Sequence, residues 1–149
     1  MLKTTAESEL KKEVKEAISQ FNLSAYELKD SQEILSKISN MYVDGDPRAW
    51  WLSLKHVALR RCYENNKGYL DVPDIVKGLK GGKERLIFIV DDDNRALHVY
   101  SIELSEFIQI IESCRYFEYY LTASSYSWLI AENDHGDILV CERPSDSLE

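Results

Sequence analysis

No run of apolar residues in this chain approaches the roughly 20 needed to cross a bilayer as a helix, which argues against a spanning segment. A secretory leader is missing too. Met1-Leu-Lys-Thr-Thr-Ala-Glu7 passes directly into a charged pattern, without an apolar core or a small-residue cleavage site. Both absences predict a cytoplasmic protein with no membrane partner. Cysteine is scarce: Cys62, Cys114 and Cys141 are too widely separated for a C-x-x-C pair, and the odd number speaks against a secreted disulfide framework. Reduced thiols are expected, with Cys114 and Cys141 serving as small core residues in their apolar surroundings. Asn22-Leu-Ser24 matches a glycosylation sequon but lacks the secretory setting that would give it meaning. Internal repeats and low-complexity linkers are also missing.

What is present fits one globular domain. The 149 residues are 44% hydrophobic and 30% charged, enough to bury a full core without metal or disulfide staples. Residues 1–146 are expected to form that domain, and 147–149 a disordered tail or the remnant of a removed tag. Charge is unevenly placed. Residues 46–85 carry 9 basic and 5 acidic side chains, whereas residues 86–149 carry 3 and 13, a net of −10 within an overall −8. Such acidity repels a phosphate backbone and makes nucleic acid an unfavoured partner. A basic protein is the natural complement.

Periodicity predicts a helical first half. Leu10, Val14, Ile18 and Phe21 recur at helical spacing, Thr4 and Glu7 resemble a capping box, and Asn22 is a stop. A second helix is expected over 31–41, with Ile34, Leu35, Ile38, Met41 and Tyr42 as its apolar stripe. Residues 48–62 fit either helix or strand, and a short helix is predicted at 73–79, led by Pro73 and closed by Gly81-Gly82. The second half reads differently. Leu86-Ile-Phe-Ile-Val90 is a continuous apolar run expected at the centre of a sheet. Asp91-Asp-Asp-Asn-Arg95 then turns the chain into Ala96-Leu-His-Val-Tyr100. Leu104, Phe107, Ile108 and Ile111 have the i, i+3, i+4, i+7 spacing of a helix lying on that sheet. Three strand-like runs follow between Phe117 and Glu142. The expected fold is thus α+β: a helical N-terminal half packed on an antiparallel sheet of about five strands, with C-terminal order β-β-α-β-β-β.

Chemical motifs are weak. Gly78-Leu-Lys-Gly-Gly-Lys83 has a helix before it, a strand after it and Glu84 where a phosphate loop needs a hydroxyl. Asp91-Asp-Asp-Asn94 lacks the spacing of a calcium loop and reads as a solvated hairpin tip. Ser124, Ser125 and Ser127 stand outside any nucleophile elbow. In Glu132-Asn-Asp-His-Gly-Asp137, His135 is flanked by carboxylates that would orient a base or join it on a metal. The plainer reading is a turn in which Asn133 and Asp134 accept backbone hydrogen bonds and Gly136 supplies a positive φ. His56 and His98 are distant in sequence. No catalytic residue, cofactor or metal ligand is therefore assigned.

Aromatic residues suggest a surface instead. Tyrosines among carboxylates suit a protein-binding face, because aromatic anchors dominate interface energetics and acids steer a basic partner. Tyr119, Tyr120, Tyr126, Asp134, His135 and Asp137 are the expected partner-binding residues. Four segments, Trp50-Trp51-Leu-Ser-Leu-Lys55, Phe88-Ile-Val-Asp-Asp92, Phe117-Glu-Tyr-Tyr120 and Tyr126 through Gly136, resemble a family of small uncharacterised bacterial proteins over roughly residues 47–142. That family's pattern more often has a second histidine where this chain has Asp134, which weakens a metal reading. Some similar proteins look like immunity proteins of toxin systems, so the resemblance implies a non-enzymatic inhibitor of a basic bacterial toxin. Two alternatives accompany it: a small hydrolase or metal-dependent enzyme centred on His135, and an adaptor using the central basic segment.

Overall fold

The apolar run at 86–90 is buried at every position, because layers of helix cover both sides of the strand it forms. The computed structural model describes residues 8–92 and 96–143. In chain order its strands are β1 (Tyr26–Glu27), β2 (Val57–Cys62), β3 (Leu86–Asp91), β4 (Leu97–Ile102), β5 (Glu118–Ala123), β6 (Trp128–Glu132) and β7 (Asp137–Glu142). All pair antiparallel in one sheet of order β1-β4-β3-β5-β6-β7-β2. The helices are α1 (Glu9–Gln20), α2 (Ser31–Tyr42), α3 (Val72–Lys77) and α4 (Leu104–Ser113).

Strand alternation sends side chains to two cores. Phe88, Tyr119, Leu121, Trp128 and Ile130 meet Leu10 and Val14 of α1, Val76 of α3, and Phe107 and Ile110 of α4. On the other face Ile87, Ile89, Tyr120, Leu129 and Leu139 meet Ile34, Ile38 and Tyr42 of α2, with Trp50, Trp51 and Leu54 packed alongside. Edge-to-face rings knit the first core: Phe88 and Phe107 have centroids 5.8 Å apart, and Phe107 and Tyr119 5.3 Å. Each such ring contributes roughly 1.5–3 kcal/mol by burial alone.

The α+β class and the antiparallel sheet agree with the pattern of the sequence; the expected strand number does not. Among the described residues seven strands form the sheet rather than about five, because the N-terminal half is not wholly helical and supplies both edges, β1 and β2. The ambiguous residues 48–62 divide into a 3₁₀ turn at Trp50–Ser53 and then β2. Ser8 caps α1, its Oγ accepting from the Lys11 backbone at 3.0 Å; Thr4, Glu7 and residues 147–149 lie outside the described residues. Phe21, expected on the buried stripe of α1, is 39% exposed. Asn22 does end that helix region, with φ +53°.

Two polar ties fix the first half to the second, one through α4 and one at the sheet. Glu106 closes a capping box at the start of α4, its Oε1 accepting from the Glu103 backbone at 2.9 Å, and its Oε2 accepts from the backbone and hydroxyl of Ser24. Arg85 donates to Ser24 and Ser101 and lies over the Tyr26 ring, 5.4 Å from its centroid. No helix among the described residues is long and apolar enough to cross a membrane.

Candidate functional site

The six residues expected to bind a partner are not one surface. Tyr119 and Tyr120 are each 1% exposed and face opposite cores, as neighbours on a strand must. Tyr126 sits in the β5–β6 turn with φ +60°, its carbonyl accepting from the Tyr42 hydroxyl at 2.6 Å. That turn and the β6–β7 turn carrying Asp134 and His135 lie at opposite ends of β6. Asp137 is buried: Oδ2 accepts from Arg60 at 2.8 Å, and Oδ1 accepts from the Cys62 thiol at 2.8 Å. These contacts, led by the Cys62 hydrogen bond, hold its carboxyl below the usual range. Only Asp134 and His135 remain as exposed side chains of the β6–β7 turn.

The turn itself is built by Asn133 and Gly136. Buried Asn133 Oδ1 accepts from the backbone of His135 at 2.9 Å and of Asp137 at 3.0 Å, while Gly136 adopts φ +84°. Asp134 plays a different part from the one expected. Its backbone N–H donates to Glu118 Oε2 at 2.9 Å, and Glu118 Oε1 accepts from Trp51 Nε1 at 3.0 Å. Glu118 thereby joins the strand end, the turn and the 3₁₀ segment. Trp51 in turn lies edge-on to the His135 ring at 5.6 Å, and Trp50 packs on Tyr120 at 5.0 Å.

These contacts frame a groove of about 750 Å³ at this end of the sheet. Its lining includes Trp50, Trp51, Tyr116 and Tyr120 as aromatic surface, four acids (Asp91, Asp92, Glu118, Asp134), and Arg48 and His135. Burial, with help from Asp91, pushes the Tyr120 hydroxyl up, so it stays a neutral donor and acceptor. Asp92 is not a solvated hairpin tip. It is 4% exposed, accepts from the Ser8 hydroxyl and meets His98 Nε2 at 3.1 Å; residues 93–95 of that expected turn lie outside the described residues.

The groove draws on the segments that carry the family resemblance: Trp50 and Trp51, Asp91 and Asp92, Phe117, Glu118 and Tyr120, and Asp134 with His135. Glu118 and Trp51 were not among the expected site residues, and their signal was this shared membership of separate motifs. His135 Nε2 lies 3.6 Å from Asp134 in the same exposed turn. Among the described residues no three His, Cys, Asp or Glu side chains are grouped to hold a metal ion. The central basic segment is spread over several elements, with Arg60 on β2 held by Asp137 and Arg85 held beside β1. No curated protein and no solved structure matches the chain. A family model does match, over residues 6–149, and the chain belongs to the family of unknown function DUF6756.

Proposed function

We propose that the chain is a cytosolic binding protein, an immunity-type inhibitor whose groove takes a basic segment of a toxin partner. The observation that carries this reading is the composition of the groove among the described residues: Asp91, Glu118 and Asp134, with Asp92 buried beneath, against Arg48, around a floor of aromatic rings. Aromatic rings supply apolar contact at low entropic cost, and the surrounding acids attract lysine or arginine and reject acidic competitors. The fixed geometry adds to this. Glu118, Tyr120 and Trp51 are hydrogen-bonded to one another's elements, so little ordering remains to be done on binding.

The reading is tested with the purified product of the neighbouring reading frame, titrated while following tryptophan fluorescence. Binding is expected to weaken steeply as salt rises, and Asp134→Lys is expected to cost about tenfold or more in affinity. Asp134 is the suitable site for reversal because its side chain is 59% exposed. A complex indifferent to salt and to Asp134→Lys, or no complex, overturns the proposal. In the same experiment His135→Ala separates binding from chemistry: an enzyme centred on that imidazole loses turnover, whereas an inhibitor keeps its fold and most of its affinity.

A further inference from the structure

A second hollow of about 400 Å³ lies beside the groove, and Tyr116 and Phe117 line both. At its base are Tyr119 and Glu132, directly opposite one another on β5 and β6. Above them stand the end of α4, with Ile111 and Glu112, and Tyr69, whose hydroxyl donates to Glu112 Oε2 at 2.9 Å.

Glu132 is the anomaly. On β6 it continues the face occupied by Trp128 and Ile130, so an apolar side chain is expected there, yet a carboxyl group is 2% exposed. Burial raises its pKa, with the Tyr119 hydroxyl acting in the opposite sense. The Tyr119 hydroxyl is itself buried and makes no hydrogen bond of good geometry, although it lies close enough to Glu132 for each to affect the other's ionisation. The Tyr63 hydroxyl, also buried without a hydrogen bond, is near enough to add to the effect on Tyr119. The Tyr119 hydroxyl thus sits beneath the hollow with bonding capacity unspent, beside a buried carboxyl, an arrangement that costs stability unless something meets it.

The charge of the lining selects the class of ligand. Glu112 and Glu132 are acidic, and the one cation in the lining among the described residues, Arg115, is engaged by Glu13 through bonds of 2.8 and 3.2 Å. The C-terminal end of α4, the negative end of its dipole, has no basic residue in its last turn. Aromatic faces favour a cation over an anion. Burial pushes the Cys114 thiol up to about 12, which disfavours the thiolate that covalent capture would need.

We propose that this hollow binds a small organic amine, whose ammonium group meets the Glu132 carboxylate and the Tyr119 hydroxyl while its apolar body lies among Tyr69, Tyr116 and Phe117. A neutral apolar ligand would leave Glu132 and Tyr119 unmet, and a carboxylate would face two acids.

Calorimetric titration of the full chain with benzylammonium, benzyl alcohol and benzoate tests this. Benzylammonium is expected to bind at least about tenfold more tightly than the alcohol, and benzoate not at all. Affinity for the amine is expected to rise with pH as Glu132 ionises. Glu132→Gln should erase the preference for the amine over the alcohol, with the folded circular dichroism spectrum unchanged. Tyr116→Ala, at a 46% exposed ring, should weaken the amine without touching the fold and serves if the Gln variant does not fold. Equal binding of amine and alcohol, an unchanged preference in Glu132→Gln, no effect of Tyr116→Ala, or no binding of benzylammonium at millimolar concentration overturns the proposal.

Discussion

Two carboxyl groups near the β6–β7 turn are pulled in opposite directions by their surroundings. Asp137, held by Cys62, Arg60 and Asn133, has a lowered pKa. Its contribution to stability is therefore complete above the ordinary carboxylate range and is lost as pH falls through the lowered value. Asp137→Asn is expected to cost about 1.5–3 kcal/mol at neutral pH in urea denaturation, the range for a hydrogen bond to a charged group. That loss should vanish in strong acid, where the wild-type carboxyl is protonated too; a loss independent of pH would discount the charge. Glu132 behaves inversely, since burial raises its pKa. Its protonated form is tolerated below the ordinary range, and stability is lost as pH rises through the raised value. Melting curves should find Glu132→Gln at least as stable as wild type at neutral pH, and without advantage in acid. A Gln variant that melts lower at neutral pH would show the carboxylate to be a structural anchor. Neither role could be read from a turn rich in Asp, Asn and Glu. The sign of each effect depends on β2 arriving beside Asp137 and on α4 roofing Glu132, and both are long-range events.

Among elements, the interior strands were the most legible and the edges the least. The run at 86–90 announced a strand covered on both faces because every residue in it had to be apolar. Strand β2 gave no such signal. It lies at the sheet edge with Leu59 alone not exposed, its register with β7 shifts between Val57 and Leu59, and backbone pairing rather than burial holds it. Exposed Arg60 and Arg61 suit an edge that must not recruit another strand. Two residues are all that β1 contains, too few for any periodicity. The β6–β7 turn was legible as a turn, and the carbonyl it receives from the end of β2 was not. A Cβ at Gly136 would come 2.3 Å from the Tyr63 carbonyl oxygen, at a φ of +84°. Gly136→Ala is thus expected to destabilise by at least about 1–3 kcal/mol. Hydrogen exchange should show the damage first at Tyr63, whose N–H donates to the Gly136 carbonyl at 2.9 Å. Protection lost uniformly across the sheet, with Tyr63 no worse than β3, would contradict this.

At the scale of the molecule, a single sheet serves two cores, so neither helical layer has a surface to bury against without it. Trp128 reports on one core and Trp50 with Trp51 on the other. Variants keeping only Trp128, or only Trp50 and Trp51, are expected to unfold at the same urea midpoint once corrected for their overall stability, in step with circular dichroism. Separate midpoints within one variant, by fluorescence and by circular dichroism, would show that the layers melt independently. The strand order bears also on how the chain is made. Both edges of the sheet come from the first half of the chain, and the five strands between them from the second. Val57 finds its partner only in Cys141, near the far end of the sequence. During synthesis at about 5–20 residues per second, the β2 segment therefore waits several seconds for its template. The edge that closes the sheet is translated early and can pair only once the last strand exists, and Arg60 and Arg61 are the kind of charge that guards a waiting strand against aggregation.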